Sequence, residues 1–233
     1  MERHLSKAVL DGLTRRARSF ITAHSIRIDV PPVGRLAEQW FALGVPPVEI
    51  NRVKEYQERW GGLVLPPAPH YDGGPRYLDS DLPEGSPNEG WLYPAGTDRT
   101  ATPYSFMIGP GGEFGVYGYR WTPLHRTVEG WVESVALAHH ASMWAQQVTR
   151  VTGDRVDEIA LDGFDPVAEI KGMTDNWWRG DDSLVALYAG EAESLSAPSC
   201  RTLLIYSGLD DWGLYGGVRS PGPRHAKGSV NTP

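Results

Sequence analysis

Residues 104–119 read Tyr-Ser-Phe-Met-Ile-Gly-Pro-Gly-Gly-Glu-Phe-Gly-Val-Tyr-Gly-Tyr. Two runs, Tyr104 to Ile108 and Phe114 to Tyr119, alternate aromatic with small residues on either side of Gly109-Pro110-Gly111-Gly112. That is the pattern of a β-hairpin with a glycine-bearing turn. Downstream, Thr127 fits a helix N-cap. Val128, Val132, Val135, Leu137, Ala138, Met143 and Trp144 then predict a long, mostly buried helix over 127–149. Gly130 stands where a capping box would place Glu, while Glu129 still suits the positive end of the helix.

Working back toward the N-terminus, three helices precede the hairpin. Leu5, Val9, Leu13, Ala17, Phe20 and Ile21 recur at three- and four-residue spacing and predict a helix over 5–24, with Lys7, Arg15, Arg16 and Arg18 on its other face. A second covers 33–43 through Leu36, Trp40 and Leu43 and stops at Gly44. The third covers 48–60, with Ile50, Val53, Tyr56, Gln57 and Trp60 on one stripe and Gly61-Gly62 at the left-handed C-cap. From Leu65 to Ala101 the composition turns to Pro, Gly, Asp and Ser, which predicts loops with brief strands near 63–65 and 91–93. After the breaker Gly153, strands are expected at 156–161, 184–188 and 203–206, and the segment from Ser220 onward reads as a disordered tail.

The composition is that of a globular chain, with 233 residues, 40% hydrophobic, 22% charged and nine Trp. No apolar run reaches the roughly 18 residues of a membrane span. The basic N-terminus lacks the apolar core of a secretion signal, and the single Cys200, which reads as buried filler, fits a reducing compartment, so the expected location is cytoplasmic. The net charge is −7, and residues 154–193 alone carry 11 acids against 3 bases. Such a segment is either a solvated acidic surface or one that attracts a basic protein, and it argues against direct nucleic-acid binding.

The reactive motifs are sparse. His139-His140 project about 100° apart on a helix and cannot easily grip one ion, and no HExxH, nucleophile elbow or P-loop occurs. No cofactor or metal is implied. Asp79-Ser80-Asp81, Asp181-Asp182 and Asp210-Asp211 read either as turn residues or as parts of an acid/base or metal-dependent site, with Asp210-Asp211 the strongest because it follows an expected strand. Trp91, Tyr93, Trp177, Trp178, Trp212 and Tyr215 fall in loops or at strand ends, where they either cap the core or form a protein-binding surface.

Three stretches resemble the SUKH superfamily. Val45-Pro46-Pro47 leads into a helix ending Tyr56-Gln57-Glu58-Arg59-Trp60-Gly61-Gly62, Gly111 to Tyr117 is similar to the strand after the family's glycine turn, and Leu124 to Glu133 is similar to its Ser/Thr-opened helix. The likeness covers about residues 45–150. It implies an α+β fold, a mixed or antiparallel sheet with helices packed against it. The domain would be 45–219, with a helical extension at 1–44 and a tail at 220–233. The implied activity is that of a non-catalytic immunity protein that neutralises a toxin, such as a basic nuclease or deaminase domain, by direct contact. The expected contact residues are Asp72, Asp79, Asp81, Glu84, Trp91, Tyr93, Trp177, Trp178, Asp181, Asp182 and Trp212. The competing expectation is a hydrolase or metal-dependent enzyme built on Asp210 and Asp211.

Overall fold

A computed structural model describes residues 7–216 and opens with two helices, α1 (Lys7–Leu10) and α2 (Arg15–His24), where the apolar spacing predicts one. Gly12 adopts φ 77°, which ends the first helix, and Thr14 caps the second by accepting the Ala17 N–H at 3.3 Å. Leu5 lies outside the described residues, but Val9, Leu13, Ala17, Phe20 and Ile21 are all buried, so the stripe itself is correct. Arg16 is a correction: it is buried, not on the solvent face.

After β1 (Ile26–Arg27), the second expected helix divides into a 3-10 turn, Val33–Leu36, and α3 (Ala37–Ala42). Trp40 packs inward, whereas Leu43 stays exposed. The third, α4 (Pro47–Trp60), buries all five residues of its stripe. Gly62 rather than Gly61 is its left-handed residue, at φ 76°. A Cβ on Gly62 would stand 2.0 Å from the Ile28 carbonyl oxygen, so no other residue fits beside β1.

The stretch expected to be loops holds more strand than its composition suggests: β2 (Leu63–Val64), β3 (Tyr77–Leu78), β4 (Glu84–Ser86), β5 (Gly90–Pro94) and β6 (Gly96–Thr97). The hairpin forms as read, with β7 (Ser105–Ile108) antiparallel to β8 (Phe114–Tyr117), and β9 (Trp121–His125) extends it. These give a five-stranded antiparallel sheet in the order β4-β5-β7-β8-β9, while β1 pairs β2 and β3 pairs β6 separately.

Helix α5 (Val128–Trp144) begins as expected, with Thr127 Oγ1 accepting the Gly130 N–H at 3.3 Å. It stops short of Thr149, because the chain turns extended at Ala145 and Val148 to Thr152, rich in β-branched residues, joins β10 (Gln147–Thr152). Where a strand is expected at 156–161 the chain instead makes a 3-10 helix, Gly153–Glu158. The rest is β11 (Asp165–Pro166), β12 (Asn176–Arg179), β13 (Ser183–Tyr188), α6 (Gly190–Ser194), β14 (Thr202–Ser207) and α7 (Asp211–Tyr215). β13 and β14 are the last two expected strands. Cys200 sits half-exposed in a 3-10 turn ahead of β14, not inside the apolar run. The second sheet runs β10-β14-β13-β12-β11, again antiparallel, and the fold is α+β.

Both sheets share one core with α5. Trp131 stacks on Phe114 of the first sheet at 4.6 Å, and Trp177 of the second donates its Nε1–H to Ser134 Oγ at 3.0 Å. The far face of the second sheet closes on a smaller cluster, with Val151, Val185 and Leu203 covered by Val156 and its neighbours. On α5, Glu133 is 1% exposed, and burial pushes its carboxyl up from the ordinary range. It accepts the Thr14 N–H at 2.6 Å and the Thr14 hydroxyl at 2.8 Å, which fastens the start of α2 to the middle of α5.

The segment 167–175 crosses between the sheets. His125 donates Nδ1–H to the Ile170 carbonyl at 3.1 Å, its ring held neutral because burial drops its pKa to about 4. Gly130 accounts for the missing capping-box Glu, since a Cβ there would lie 2.4 Å from that same carbonyl oxygen. Alanine is ordinarily the better helix residue by about 1 kcal/mol. Gly130→Ala should nevertheless lower unfolding stability by about 2 kcal/mol, because backbone must move to admit the methyl. Urea titration decides the sign, and a gain in stability would contradict the packing of Ile170 on α5.

Candidate binding surface

Successive strand residues face opposite ways, so the partners of the buried Tyr93, Phe106, Ile108, Phe114 and Val116 point away from the core. Leu92, Pro94, Ser105, Met107 and Tyr117 form that outer face, with Trp121 along its β9 edge, and together they line a groove of about 920 Å³. Two glycines of the hairpin shape it. A Cβ at Gly109 or Gly115 would come within 2.7 or 2.6 Å of the Trp121 ring, so the indole lies across both. Glu113 closes the turn by accepting the Gly111 N–H at 2.9 Å. Tyr117 and Tyr119 remain 47% and 83% exposed, large rings held against water.

The charged residues lining this groove are Glu84, Glu89, Asp98 and Arg120, three acids against one base. Partial burial raises the Asp98 carboxyl above its ordinary range. Such a surface offers aromatic and aliphatic contacts inside a field that favours cations.

The structure scatters the residues that the sequence nominates for contact. Glu84 lines the groove, and Trp91, in the adjoining strand, is half-buried against the core. Tyr93 and Trp177 are corrections: at 4% and 2% exposure they belong to the core, Tyr93 edge-on to Tyr56 and Trp177 stacked on Tyr206. Asp79 is also structural, accepting the Gln57 Nε2–H at 2.8 Å, whereas Asp81 is exposed and bonds only the next N–H, that of Leu82. Asp72 is exposed with φ 48°. Trp178 covers the smaller cluster behind the second sheet, and Asp181 and Asp182 sit in the exposed turn between β12 and β13. Trp212 lies on α7, and Asp210 caps that helix by accepting the Gly213 N–H at 2.8 Å, a turn role for the pair nominated as catalytic. Among the described residues, no three His, Cys, Asp or Glu side chains gather as a metal set. Met107 and Tyr117 were legible only through the period-two alternation of the hairpin, and Trp121, in the strand that follows it, carried no such signal.

A second polar arrangement lies wholly inside. Asp175 is fully enclosed, and its carboxylate accepts Tyr71 Oη–H at 2.8 Å and the Ala189 N–H at 3.0 Å, while Tyr71 Oη accepts the Gly190 N–H at 3.0 Å. Beside it His70 stacks on Tyr188 and stands 3.4 Å from Glu191, which also accepts Tyr104 Oη–H at 2.7 Å. Strongly perturbed groups often mark active sites. Here the Asp175 carboxylate is bonded from within and no substrate atom could reach it, so it ties the 70–74 turn to β13 and α6, while His70 Nε2 and Tyr188 Oη beside it are buried without a hydrogen bond among the described residues.

Compared with known proteins, the chain matches no family model, no curated protein and no solved structure.

Burial, opposed by the bonds from Tyr71 and Ala189, pushes the Asp175 pKa from 3.8 to about 6. The folded state therefore holds this proton more tightly than the unfolded chain, and the contribution to stability is fully favourable below about pH 4 and declines as pH rises through 6. Relative to Asp175→Asn, the native protein should gain about 2 kcal/mol on acidification from pH 7 to pH 4. Paired denaturant titrations across that range measure the difference. A flat difference would show that Asp175 is not enclosed in this way. His125 acts with the opposite sign over a similar window but is common to both proteins, so it cancels.

Proposed function

We propose that this chain is a non-catalytic binding protein whose outer sheet face receives a basic segment of a protein partner, and that the partner is a toxin domain it neutralises by contact. The observation that carries the reading is the groove of the first sheet, with exposed Tyr117 and Tyr119 over a Met107 and Trp121 lining and carboxylates outnumbering cations three to one. Hot spots at protein interfaces favour aromatic anchors inside a polar rim, and opposite charge speeds and orients encounter. The toxin assignment draws on the SUKH resemblance over residues 45–150, whose members counter toxins with basic, nucleic-acid-directed surfaces. No described helix is long and apolar enough to cross a membrane, and the proposed location is the cytoplasm.

The test pairs capture with protection. The native chain and a Glu84→Lys, Glu89→Lys, Tyr117→Ala variant serve as baits at low salt, where surface charge acts most strongly. The native bait should retain one basic protein in stoichiometric amount, and the variant should bind it at least about tenfold more weakly while unfolding at a similar temperature. Co-expression of the native chain should rescue cells producing that protein, and the variant should not. Equal capture by both baits, or a captured protein that is harmless to cells, would overturn the assignment.

A further inference from the structure

Away from the acidic groove, a cavity of about 170 Å³ opens between α2, α5 and α7, and its lining is cationic. We propose that it binds a tetrahedral oxyanion, either free phosphate or the phosphate group of a small monoester. Arg16 carries the inference. Its side chain is 3% exposed, and Nη2 alone is engaged, 3.3 Å from Glu133 and 3.4 Å from Glu169. Its Nε–H and Nη1–H donors are buried without any partner among the described residues, and so is Nε2 of His139, which shares the cavity wall. Each buried donor left unmade costs roughly 1–3 kcal/mol, a cost that an acceptor-rich anion removes.

The unmet donors favour an anion over a further cation. Glu133 is satisfied by Thr14, and Glu169 is shared with Arg179 at 3.3 Å. Arg15 and Arg16 line the space with His24, His139 and His140, while Arg179, Glu169 and Asp210 stand around it, so the nearby charges balance and the unmet N–H donors decide the sign of the ligand. His140 is already committed, its Nε2 lying 2.8 Å from the Trp212 carbonyl oxygen, which leaves Arg16 and His139 as the donors free to take a ligand. The volume corresponds to about five waters, enough for phosphate. Met143 and the half-exposed Trp212 supply an apolar wall against which an organic ester could lie. This site does not rest on the groove or on the partner proposed for it.

The experiment titrates the full chain with inorganic phosphate against chloride at matched ionic strength. The Arg16 Nε–H resonance and the unfolding temperature should both shift saturably. His139→Gln, which keeps a polar side chain of similar size beside Phe20 and His24 and is checked for an unchanged unfolding temperature, should weaken phosphate binding about fivefold, and Arg16→Lys about tenfold or more. Phenyl phosphate distinguishes the sources: tighter binding than phosphate assigns the site to a monoester, and equal binding to the free anion. Absence of saturation at tens of millimolar phosphate, or binding unchanged in His139→Gln and in folded Arg16→Lys, would overturn the site.

Discussion

Helix α5 is buried on nearly every side, and this enclosure is the constraint to which the remaining structure answers. A helix apolar all round cannot rest on one sheet with its back to water, so it needs neighbours on several faces. The first sheet, the second sheet and α2 supply them, through Phe114, Trp177 and Phe20 respectively, each within one continuous core. Gly130 then sets how closely the 167–175 crossing can approach the start of the helix.

Enclosure on this scale forces polar groups inward, and the fold meets three of them with partners from distant parts of the chain. Glu133 is answered by Thr14 and Arg16, Asp175 by Tyr71, and His125 by Ile170. Such pairs contribute little net stability when complete and cost several kcal/mol when broken, so they act mainly to fix which arrangement of elements is allowed. Arg16 leaves two donors unmet, Nε and Nη1, as His125 leaves its Nε2. What sets Arg16 apart is that it lines an open cavity, whereas Asp175 is fully enclosed.

The two proposed surfaces follow from different leftovers of the same construction. An antiparallel sheet packed on one face leaves the other to solvent. Here that second face is aromatic, and the carboxylates beside it would draw a basic partner. The cavity between α2, α5 and α7 is lined by the opposite charge and has room only for a small ion. One chain can therefore present an acidic macromolecular surface and a cationic small-ligand site without either disturbing the other's field, provided water screens the distance between them.

Local pattern carried a good deal. The 104–119 hairpin, the stripe of α4, the Thr127 cap and the strands at 183–188 and 202–207 all follow from spacing, because each is decided by residues near in sequence. Boundaries failed where a long-range partner intervened, as at 145–152, which leaves the helix to pair with β14. Some nominated contact residues lie inside for the same reason: charge and ring type mark Asp79, Tyr93 and Trp177 as interface-like, yet their neighbours are Gln57, Tyr56 and Tyr206. By itself the sequence determined the amphipathic elements, the turns and the acidic balance. Tertiary structure alone decided which faces were covered, that Arg16 would be buried with donors to spare, and that Tyr117 and Trp121 would share an open groove, because burial is set by elements that meet only when the chain has folded.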